Sequence, residues 1–165
     1  MKEIFERISV RKYEDKPVEQ EKLLQIMKAA MAAPSAGNQQ PWEFYIVRNK
    51  ETIKKLSEAS PYAGCAAGAP VVIVPCIRTE GMTFPQMAEI DLAIATEHIL
   101  LEVTSLGLGA VWLGIGPEKD RVQTVNDILG IGDKLSAFAL VPLGYPAENR
   151  PQQDRFDENR IHYVD

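Results

Sequence analysis

The sequence predicts a single α+β domain over residues 1–165, in which a mixed sheet is flanked by helices. Helical and strand patterns alternate irregularly along the chain, which is typical of this fold class. With 45% hydrophobic and 25% charged residues, the chain is long enough to bury a core without disulfides or metal. No repeat, low-complexity segment or linker divides it.

The composition excludes several classes of protein. Cys65 and Cys76 are too few for a disulfide framework or a cysteine-rich zinc site, so free thiols in a reducing cytoplasm are expected. The net charge of −5 argues against nucleic acid or an anionic membrane surface as a general partner. The first residues carry alternating charges, and no apolar run reaches the roughly 18 residues of a membrane span. Neither a secretory signal nor a membrane helix is expected.

In the first half of the chain, apolar spacing predicts three helices and two strands. Pro34 ends the second helix, Asn49 is a candidate cap for the third, and Ser9 to Pro17 is expected to be extended or irregular. Small residues predict a loop from Ser60 to Ala69. The helices are expected at Lys2 to Ile8, Glu19 to Ala32 and Lys50 to Ala59, and the strands at Trp42 to Val47 and Val71 to Val74.

One long apolar helix dominates the second half of the chain. It is expected from Gln86 to Leu106, after an exposed excursion from Arg78 to Pro85. Its apolar residues cover nearly the whole circumference, so part of its surface is expected to pack against a second subunit. The remaining expectations are strands at Gly109 to Gly114 and Ala137 to Leu143, a helix at Pro117 to Leu129, and a polar tail after Pro146 that wraps over a surface.

Two arginines and a serine near the N-terminus form the first candidate site. In an extended stretch, residues two apart share a side, so Arg7, Ser9 and Arg11 would lie in one row. Guanidinium groups bind phosphate oxygens in bidentate fashion, and the row suits a phosphate beside a polar ring edge. The spacing leaves open the alternative of a solvated basic stretch that pairs with Glu14 and Asp15.

The second candidate site is a loop between Pro34 and Pro41, which we call the proline-bounded loop (residues 34–41). It carries the hydroxyl of Ser35 and three side-chain amides, at Asn38, Gln39 and Gln40. Amides offer donors and acceptors together, as the edge of a heteroaromatic ring requires. An ordinary helix-to-strand connection is the alternative that remains open.

Together these motifs resemble the N-terminal signature of the nitroreductase family. The matching residues are Arg7-x-Ser9-x-Arg11-x-Tyr13 and, about twenty residues later, Ala33-Pro34-Ser35-Ala36-Gly37-Asn38-Gln39-Gln40-Pro41-Trp42-Glu43-Phe44. The resemblance continues through Ala69-Pro70-Val71-Val72-Ile73-Val74, Gly107-Leu108-Gly109-Ala110-Val111-Trp112-Leu113-Gly114, Leu143-Gly144-Tyr145-Pro146 and Asp154-Arg155-Phe156-Asp157. The matching blocks are thus spread over almost the whole chain.

The resemblance implies a mostly antiparallel sheet in an intertwined homodimer, with FMN at the subunit interface and NADH or NADPH as reductant. It implies contacts from the N-terminal arginines, from the proline-bounded loop of the other subunit, from backbone beside the flavin N5 and from a late basic residue. The positions that match are Arg7, Ser9, Arg11, Pro34, Ser35, Ala36, Asn38, Gln40, Gly114, Ile115, Gly116 and Arg155.

Each implied contact has a physical rationale. Arg7 and Arg155 would offset the desolvation of a phosphate. A cation at the N1/O2 edge, the place implied for Arg11, stabilises the negative charge that reduction puts there. Gly114 and Gly116 would permit close approach of the backbone to a flat ring.

One segment departs from the family pattern. Many relatives place an asparagine and a lysine near the pyrimidine ring, but here the segment reads Ser60-Pro61-Tyr62-Ala63-Gly64-Cys65. The difference bears on substrate preference and redox potential more than on FMN binding. Tyr62 and the excursion at residues 78–84 are candidates for shaping the active site.

The implied activity is ping-pong hydride transfer from NAD(P)H to electron-poor acceptors such as nitroaromatics or quinones. No side chain need act as a nucleophile, so no catalytic residue is assigned. Two alternatives remain: a flavin enzyme of the same fold with other chemistry, such as dehalogenation or flavin destruction, and a non-enzymatic flavin-binding or sensing protein.

Other polar residues are interpreted as structural. The two histidines lack the spacing of a metal site, and Cys65 has no neighbouring base that would activate its thiol. Three acidic residues of the long helix are expected to form a solvated or interface face. The histidines are His98 and His162, and the acidic residues are Glu89, Asp91 and Glu97.

Overall fold

The computed structural model describes residues 2–164. Within that range six strands form the sheet: β1 (Trp42–Val47), β2 (Val71–Arg78), β3 (Gly109–Ala110), β4 (Leu113–Gly114), β5 (Leu135–Ala137) and β6 (Ala139–Gly144). The strand order is β1-β2-β6-β3, with β5 also paired to β2 and β4 also paired to β6. All five strand pairs are antiparallel, which confirms the mostly antiparallel sheet.

Helices cover both faces of the sheet. They are α1 (Glu3–Glu6), α2 (Gln20–Met31), α3 (Lys50–Ser57), α4 (Ala88–Ser105) and α5 (Lys119–Leu129), and short 3-10 helices lie at Ala36–Asn38, Gly64–Gly68, Pro85–Met87 and Glu158–Arg160. Val71 and Ile73 of β2 pack with α2 and α4, whereas Val72, Val74 and Cys76 pack with α3 and α5. Because both faces are covered, β2 is apolar at nearly every position and does not alternate.

Several element boundaries differ from those expected. α1 ends at Glu6 instead of Ile8, because Arg7 leaves helical geometry with a ψ of 125°. β2 continues to Arg78 through pairing with β1 and β5, well beyond the β-branched run. The expected strands at Gly109 to Gly114 and Ala137 to Leu143 are each divided in two. The cap at Asn49 is confirmed, since its side chain accepts a hydrogen bond of 2.9 Å from the Thr52 backbone N–H.

The long helix is confirmed as α4, and its burial is uneven. It begins at Ala88, two residues later than expected, because Pro85–Met87 forms a 3-10 turn. Eight of its residues are buried within the chain itself, whereas Ile90 is 52% exposed. Packing of α4 against a second subunit stays a prediction. None of the helices within residues 2–164 has the length and apolar character to cross a membrane.

The tail after β6 lies against the N-terminal helix. The Gln152 side-chain amide donates to the backbone oxygens of Ile4 and Arg7 at 3.0 and 3.1 Å, which joins the two ends of the chain. Beyond that contact, Phe156 and Tyr163 are 76% and 79% exposed. The polar tail therefore covers part of its own subunit, and its two aromatic rings are exposed to solvent.

Candidate functional site

The segment that carries the N-terminal arginines is extended and fixed to the edge of the sheet. Ser9 forms a parallel bridge with Ala110, and the Val10 N–H donates to the Ala110 oxygen at 2.9 Å. The Tyr13 hydroxyl lies within hydrogen-bond distance of the oxygens of Val10 (2.7 Å) and Pro142 (3.0 Å). Burial raises the pKa of Tyr13 well above its ordinary value, so this anchor stays protonated.

This segment lies between two cavities. Arg7, Ser9 and Arg11 line one of about 250 Å³, which we call the arginine cavity, whereas Val10 lines the other and Ile8 lines both. The three polar residues thus share a cavity, but the alternation is not strict, and their role as a binding row stays a prediction. The wall of the arginine cavity is completed by the tail, through Arg150, Pro151, Gln152, Gln153 and Arg155. Four arginines thus line one cavity, and Arg155 lines it together with Arg7 and Arg11.

The charge of these four arginines is only partly balanced. Nε of Arg7 lies 3.4 Å from a Glu97 oxygen, and Arg150 lies 2.7 Å from Glu148. Within residues 2–164, no carboxylate lies within 4.0 Å of the Arg11 or Arg155 guanidinium group. The cavity therefore keeps a net positive charge that an anion can neutralise.

The alternative pairing of the basic stretch with Glu14 and Asp15 is wrong. Asp15 lies 3.9 Å from Lys50, on an exposed surface. Glu148 is the carboxylate that faces the segment: it accepts a hydrogen bond from the Arg11 backbone N–H at 3.0 Å. That bond, followed by the charge of Arg150, holds the pKa of Glu148 below its ordinary value. Sequence reasoning missed Arg150, although it lies only five residues before Arg155 in the basic part of the tail.

The proline-bounded loop has an unusual backbone that its own polar groups support. Gly37, Asn38 and Gln40 have positive φ angles of 55°, 53° and 46°. The Gln40 N–H donates to the Ser35 hydroxyl oxygen at 3.0 Å, and the Gln40 side-chain amide donates to the Asn38 side-chain oxygen at 2.9 Å. Non-glycine residues in this conformation are strained, and such strain is concentrated at functional sites. A role of the loop in ligand binding stays a prediction.

The loop is also held by α4 and by the end of β2. Both oxygens of the Asp91 carboxylate accept hydrogen bonds, from the Ala36 N–H at 2.9 Å and from the Gln39 side-chain amide at 2.7 Å. Arg78 donates to the Gln39 and Gln40 carbonyls at 2.8 Å. Asp91 is only 2% exposed, so its interpretation as part of a solvated or interface face is wrong. A buried carboxylate needs hydrogen-bond partners, and the loop provides them.

The expected site residues form separate groups within one chain. Residues of the proline-bounded loop are absent from the lining of the arginine cavity. Gly114, Ile115 and Gly116 form a third group beside β6. The Ile115 side chain is fully buried in the core, and the Gly116 N–H donates to the Phe138 oxygen at 2.9 Å. Gly114 is exposed, with open space where a side chain would begin.

The segments proposed to shape the active site have different surroundings. Phe84, at the end of the 78–84 excursion, lies against Gly37 of the proline-bounded loop. Tyr62 is 74% exposed, with Arg121 of α5 5.7 Å from its ring centroid. Burial raises the pKa of Cys65, which argues against an activated thiol. The roles of Tyr62 and of residues 78–84 stay predictions.

No metal site is formed by the described residues. Within 2–164, no group of three or more histidine, cysteine or acidic side chains could hold an ion. His98 of α4 packs against α2, where its Nδ1 lies 3.0 Å from the Ala29 oxygen. His162 is exposed in the tail. In the described part of the chain, His98 is thus held against a neighbouring helix and His162 is open to solvent.

Comparisons with known proteins cover nearly the whole chain. The sequence model described as Nitroreductase family matches residues 4–61 and 60–145. A Methanothermobacter thermautotrophicus protein provisionally named NADH dehydrogenase/NAD(P)H nitroreductase is 43% identical over 156 residues, which cover 94% of this chain and 82% of the relative.

Solved structures agree with the sequence relatives. A structure from Clostridium acetobutylicum, provisionally named NADH oxidase, has a TM-score of 0.94 at 44% identity and covers 97% of both chains. An FMN-dependent nitroreductase from Clostridium difficile has a TM-score of 0.92 at 28% identity, covering 99% of this chain and 98% of the other. With the family match extending from residue 4 to residue 145, the chain belongs to the nitroreductase family.

Proposed function

We propose that this protein is an FMN-dependent NAD(P)H oxidoreductase that works as a cytoplasmic homodimer and reduces electron-poor acceptors such as nitroaromatics or quinones. The observation that carries the proposal is that four arginines line one cavity in a chain of this family. The names of relatives support it, since one is an FMN reductase that uses NAD(P)H, from Bacillus subtilis.

The donor set fits the phosphate of FMN. A phosphate monoester carries nearly two negative charges and several acceptor oxygens, and guanidinium groups match it in charge and geometry. Arg11 and Arg155 bring charges without a carboxylate partner among the described residues, and Ser9 adds a hydroxyl between the arginines. A cavity whose cations were already neutralised would bind an anion poorly, and this one is not neutralised.

The cavity holds only part of such a ligand, which supports a dimeric site. Its volume of about 250 Å³ is below the roughly 300–1,000 Å³ of pockets that enclose a drug-sized ligand. The proline-bounded loop of a second subunit would supply the missing wall. Its exposed Asn38 and Gln40 side chains offer amide donors and acceptors for a polar ring edge.

When bound, FMN supplies the hydride-accepting chemistry, taking two electrons from NADH or NADPH and giving them to the acceptor. The chain's own groups then have placing and electrostatic roles. Arg7 and Arg155 would hold the phosphate, and Arg11 would place a positive charge at the polar edge of the ring system. Gly114, Ile115 and Gly116 would provide a backbone edge for the ring, since the Ile115 side chain is buried in the core and the glycines have none. No nucleophile is required, and none is assigned.

The absorption spectrum of the purified protein tests this proposal directly. We expect a yellow protein, or one that becomes yellow with added FMN, whose absorbance is bleached by NADH or NADPH under anaerobic conditions. Re-oxidation by a nitroaromatic or a quinone would then identify the acceptor class. A colourless protein that does not bind added FMN would refute the proposal.

The same measurements separate the alternatives. A non-enzymatic flavin-binding protein would bind FMN and show negligible turnover of NAD(P)H. A flavin enzyme with other chemistry would consume NAD(P)H slowly with nitro and quinone acceptors. Fast, acceptor-dependent NAD(P)H oxidation is the result that favours the proposed function over both.

A further inference from the structure

We propose that Asp91 and Arg78 are positioning residues that clamp the proline-bounded loop and preorganise it for the flavin of a second subunit. This inference rests on the proposed function, because it assigns the loop a role at FMN. The two side chains act on opposite polar groups of the same residue: Asp91 binds the Gln39 side-chain amide, and Arg78 binds the Gln39 carbonyl.

Asp91 provides the anionic half of the clamp. It lies in the first turn of α4, where a negative charge is stabilised by the helix dipole, and its side chain is 2% exposed. One oxygen accepts from the Ala36 N–H and the other from the Gln39 amide. Hydrogen bonds to an ionised acceptor are stronger than neutral ones, so the carboxylate fixes the loop at two points.

Arg78 provides the cationic half from the end of β2. One terminal nitrogen donates to the carbonyls of Gln39 and Gln40, each at 2.8 Å. Its Nε is buried and has no hydrogen-bond partner among the described residues. Within residues 2–164, no carboxylate lies within 4.0 Å of this guanidinium group either. The loop carbonyls are therefore the hydrogen-bond acceptors of a partly buried cation.

The backbone of the loop explains why a clamp is needed. Gln39 lies between two non-glycine residues with positive φ, Asn38 at 53° and Gln40 at 46°. Such conformations persist only where the surrounding structure holds them. The Gln39 amide cannot flip without loss, since it also accepts from the Phe84 N–H at 2.9 Å and donates to the Phe84 oxygen at 3.0 Å. The clamp therefore fixes the orientation in which the loop exposes the side chains of Asn38 and Gln40 on its surface.

Substitution of Asp91 by asparagine tests the anionic half. Asp91→Asn retains the side-chain shape but turns one acceptor into a donor that faces the Ala36 N–H or the Gln39 amide. We expect amide hydrogen exchange of residues 36–40 in the FMN-free protein to rise about tenfold, and FMN to bind about tenfold more weakly. Asp120→Asn is the matched control, because Asp120 is also an acidic residue in the first turn of a helix but is exposed on α5.

Substitutions of Arg78 test the cationic half of the clamp. They give an independent result if Asp91→Asn does not fold. Arg78→Met removes the donors and should reproduce both effects, whereas Arg78→Lys keeps a cation and should restore most of the FMN affinity. Unchanged exchange at residues 36–40, or unchanged FMN affinity in variants that fold, would overturn the clamp. Failure of the proposed function would look different: the unsubstituted protein would not bind FMN, while the exchange comparison would still report on the loop.

Discussion

Arg7 and Glu97 form an ion pair across the gap between the N-terminal segment and α4, with 3.4 Å between Nε and the nearer carboxylate oxygen. The Arg7 side chain is 19% exposed and Glu97 is 47% exposed, so solvent weakens the pair. The charge of Arg7 is nevertheless partly compensated before any anion binds. Arg11 and Arg155 have no such partner in the described part of the chain, so we expect them to contribute more of the uncompensated charge of the arginine cavity.

Arg11→Ala should therefore weaken FMN retention and slow flavin reduction. Removal of a charge-assisted contact typically costs about 1.5–3 kcal/mol, which corresponds to roughly 10- to 150-fold in the FMN dissociation constant. Fluorescence titration and anaerobic stopped-flow reduction measure the two effects. Arg48→Ala is the control, since Arg48 is an exposed arginine that bonds to Gln20. Equal values for both variants would remove Arg11 from the site.

Mixed dimers can show whether the proline-bounded loop acts on the other subunit. Arg11→Ala damages the arginine cavity, and Asn38→Ala damages the loop. In a dimer of one Arg11→Ala chain and one Asn38→Ala chain, action between subunits leaves one site with both parts intact. We expect such differently tagged, co-purified dimers to bind close to one FMN at full affinity per dimer. If each loop served its own subunit, both sites would be impaired, and no high-affinity binding would appear.

Gly109→Ala should push the N-terminal segment away from the sheet. A Cβ at this position would lie 2.6 Å from Cγ2 and 2.7 Å from Cβ of Val10, a contact that side-chain rotation alone cannot relieve. Overpacking of this kind costs about 1–3 kcal/mol, and we expect that loss of unfolding free energy together with weaker FMN binding. Thermal and denaturant unfolding measure the first effect. Gly68→Ala is the control: a Cβ built there meets nothing within 4 Å, so this variant should unfold like the unsubstituted protein.

Gly37→Ala should destabilise the proline-bounded loop for two reasons. The φ of 55° is unfavourable for alanine by about 1–2 kcal/mol, and the new Cβ would lie 2.7 Å from the Phe84 ring. Phe84→Ala in the same chain would relieve only the second effect, so the double variant should recover part of the lost stability. Gly132→Ala, with open space around it, is the control. Full recovery in the double variant would contradict the backbone argument.

The cysteines should react slowly with iodoacetamide in the native protein. Burial raises the pKa of Cys76 to about 12 and raises that of Cys65 above its ordinary value of 9.0. The thiolate is the reactive form, and a raised pKa means that it appears only at higher pH. Mass spectrometry should show Cys65 alkylation still accelerating above pH 9, with Cys76 protected. Rapid alkylation of Cys65 near pH 7 would indicate an activated thiol instead.

Local patterns predicted most elements because their causes are local. Side-chain shape and burial explain the strand at Trp42–Val47, whose bounds match the prediction, and the β-branched run from Val71 to Val74. One side-chain hydrogen bond explains the cap at Asn49. The break at Phe138 between β5 and β6 was not predictable in this way. At the break, the Phe138 N–H donates to the Pro75 oxygen of β2 and the Phe138 oxygen accepts from the Gly116 N–H, and both partners are distant in the sequence.

By itself, the sequence determined the fold class and most of the elements, and it indicated Arg7, Ser9, Arg11 and the proline-bounded loop as candidates, because period, proline and glycine act over a few residues. Only the tertiary structure decided that Arg150 lines the arginine cavity and that Asp91 is buried and bonded to the loop. Both arrangements depend on long-range packing. The tail contacts the N-terminal segment through Gln152 and Arg7, and α4 contacts the loop through Asp91 and Ala36. Spacing along a chain carries no information about which distant carboxylate meets a given amide, so these partners emerge only when the chain is folded.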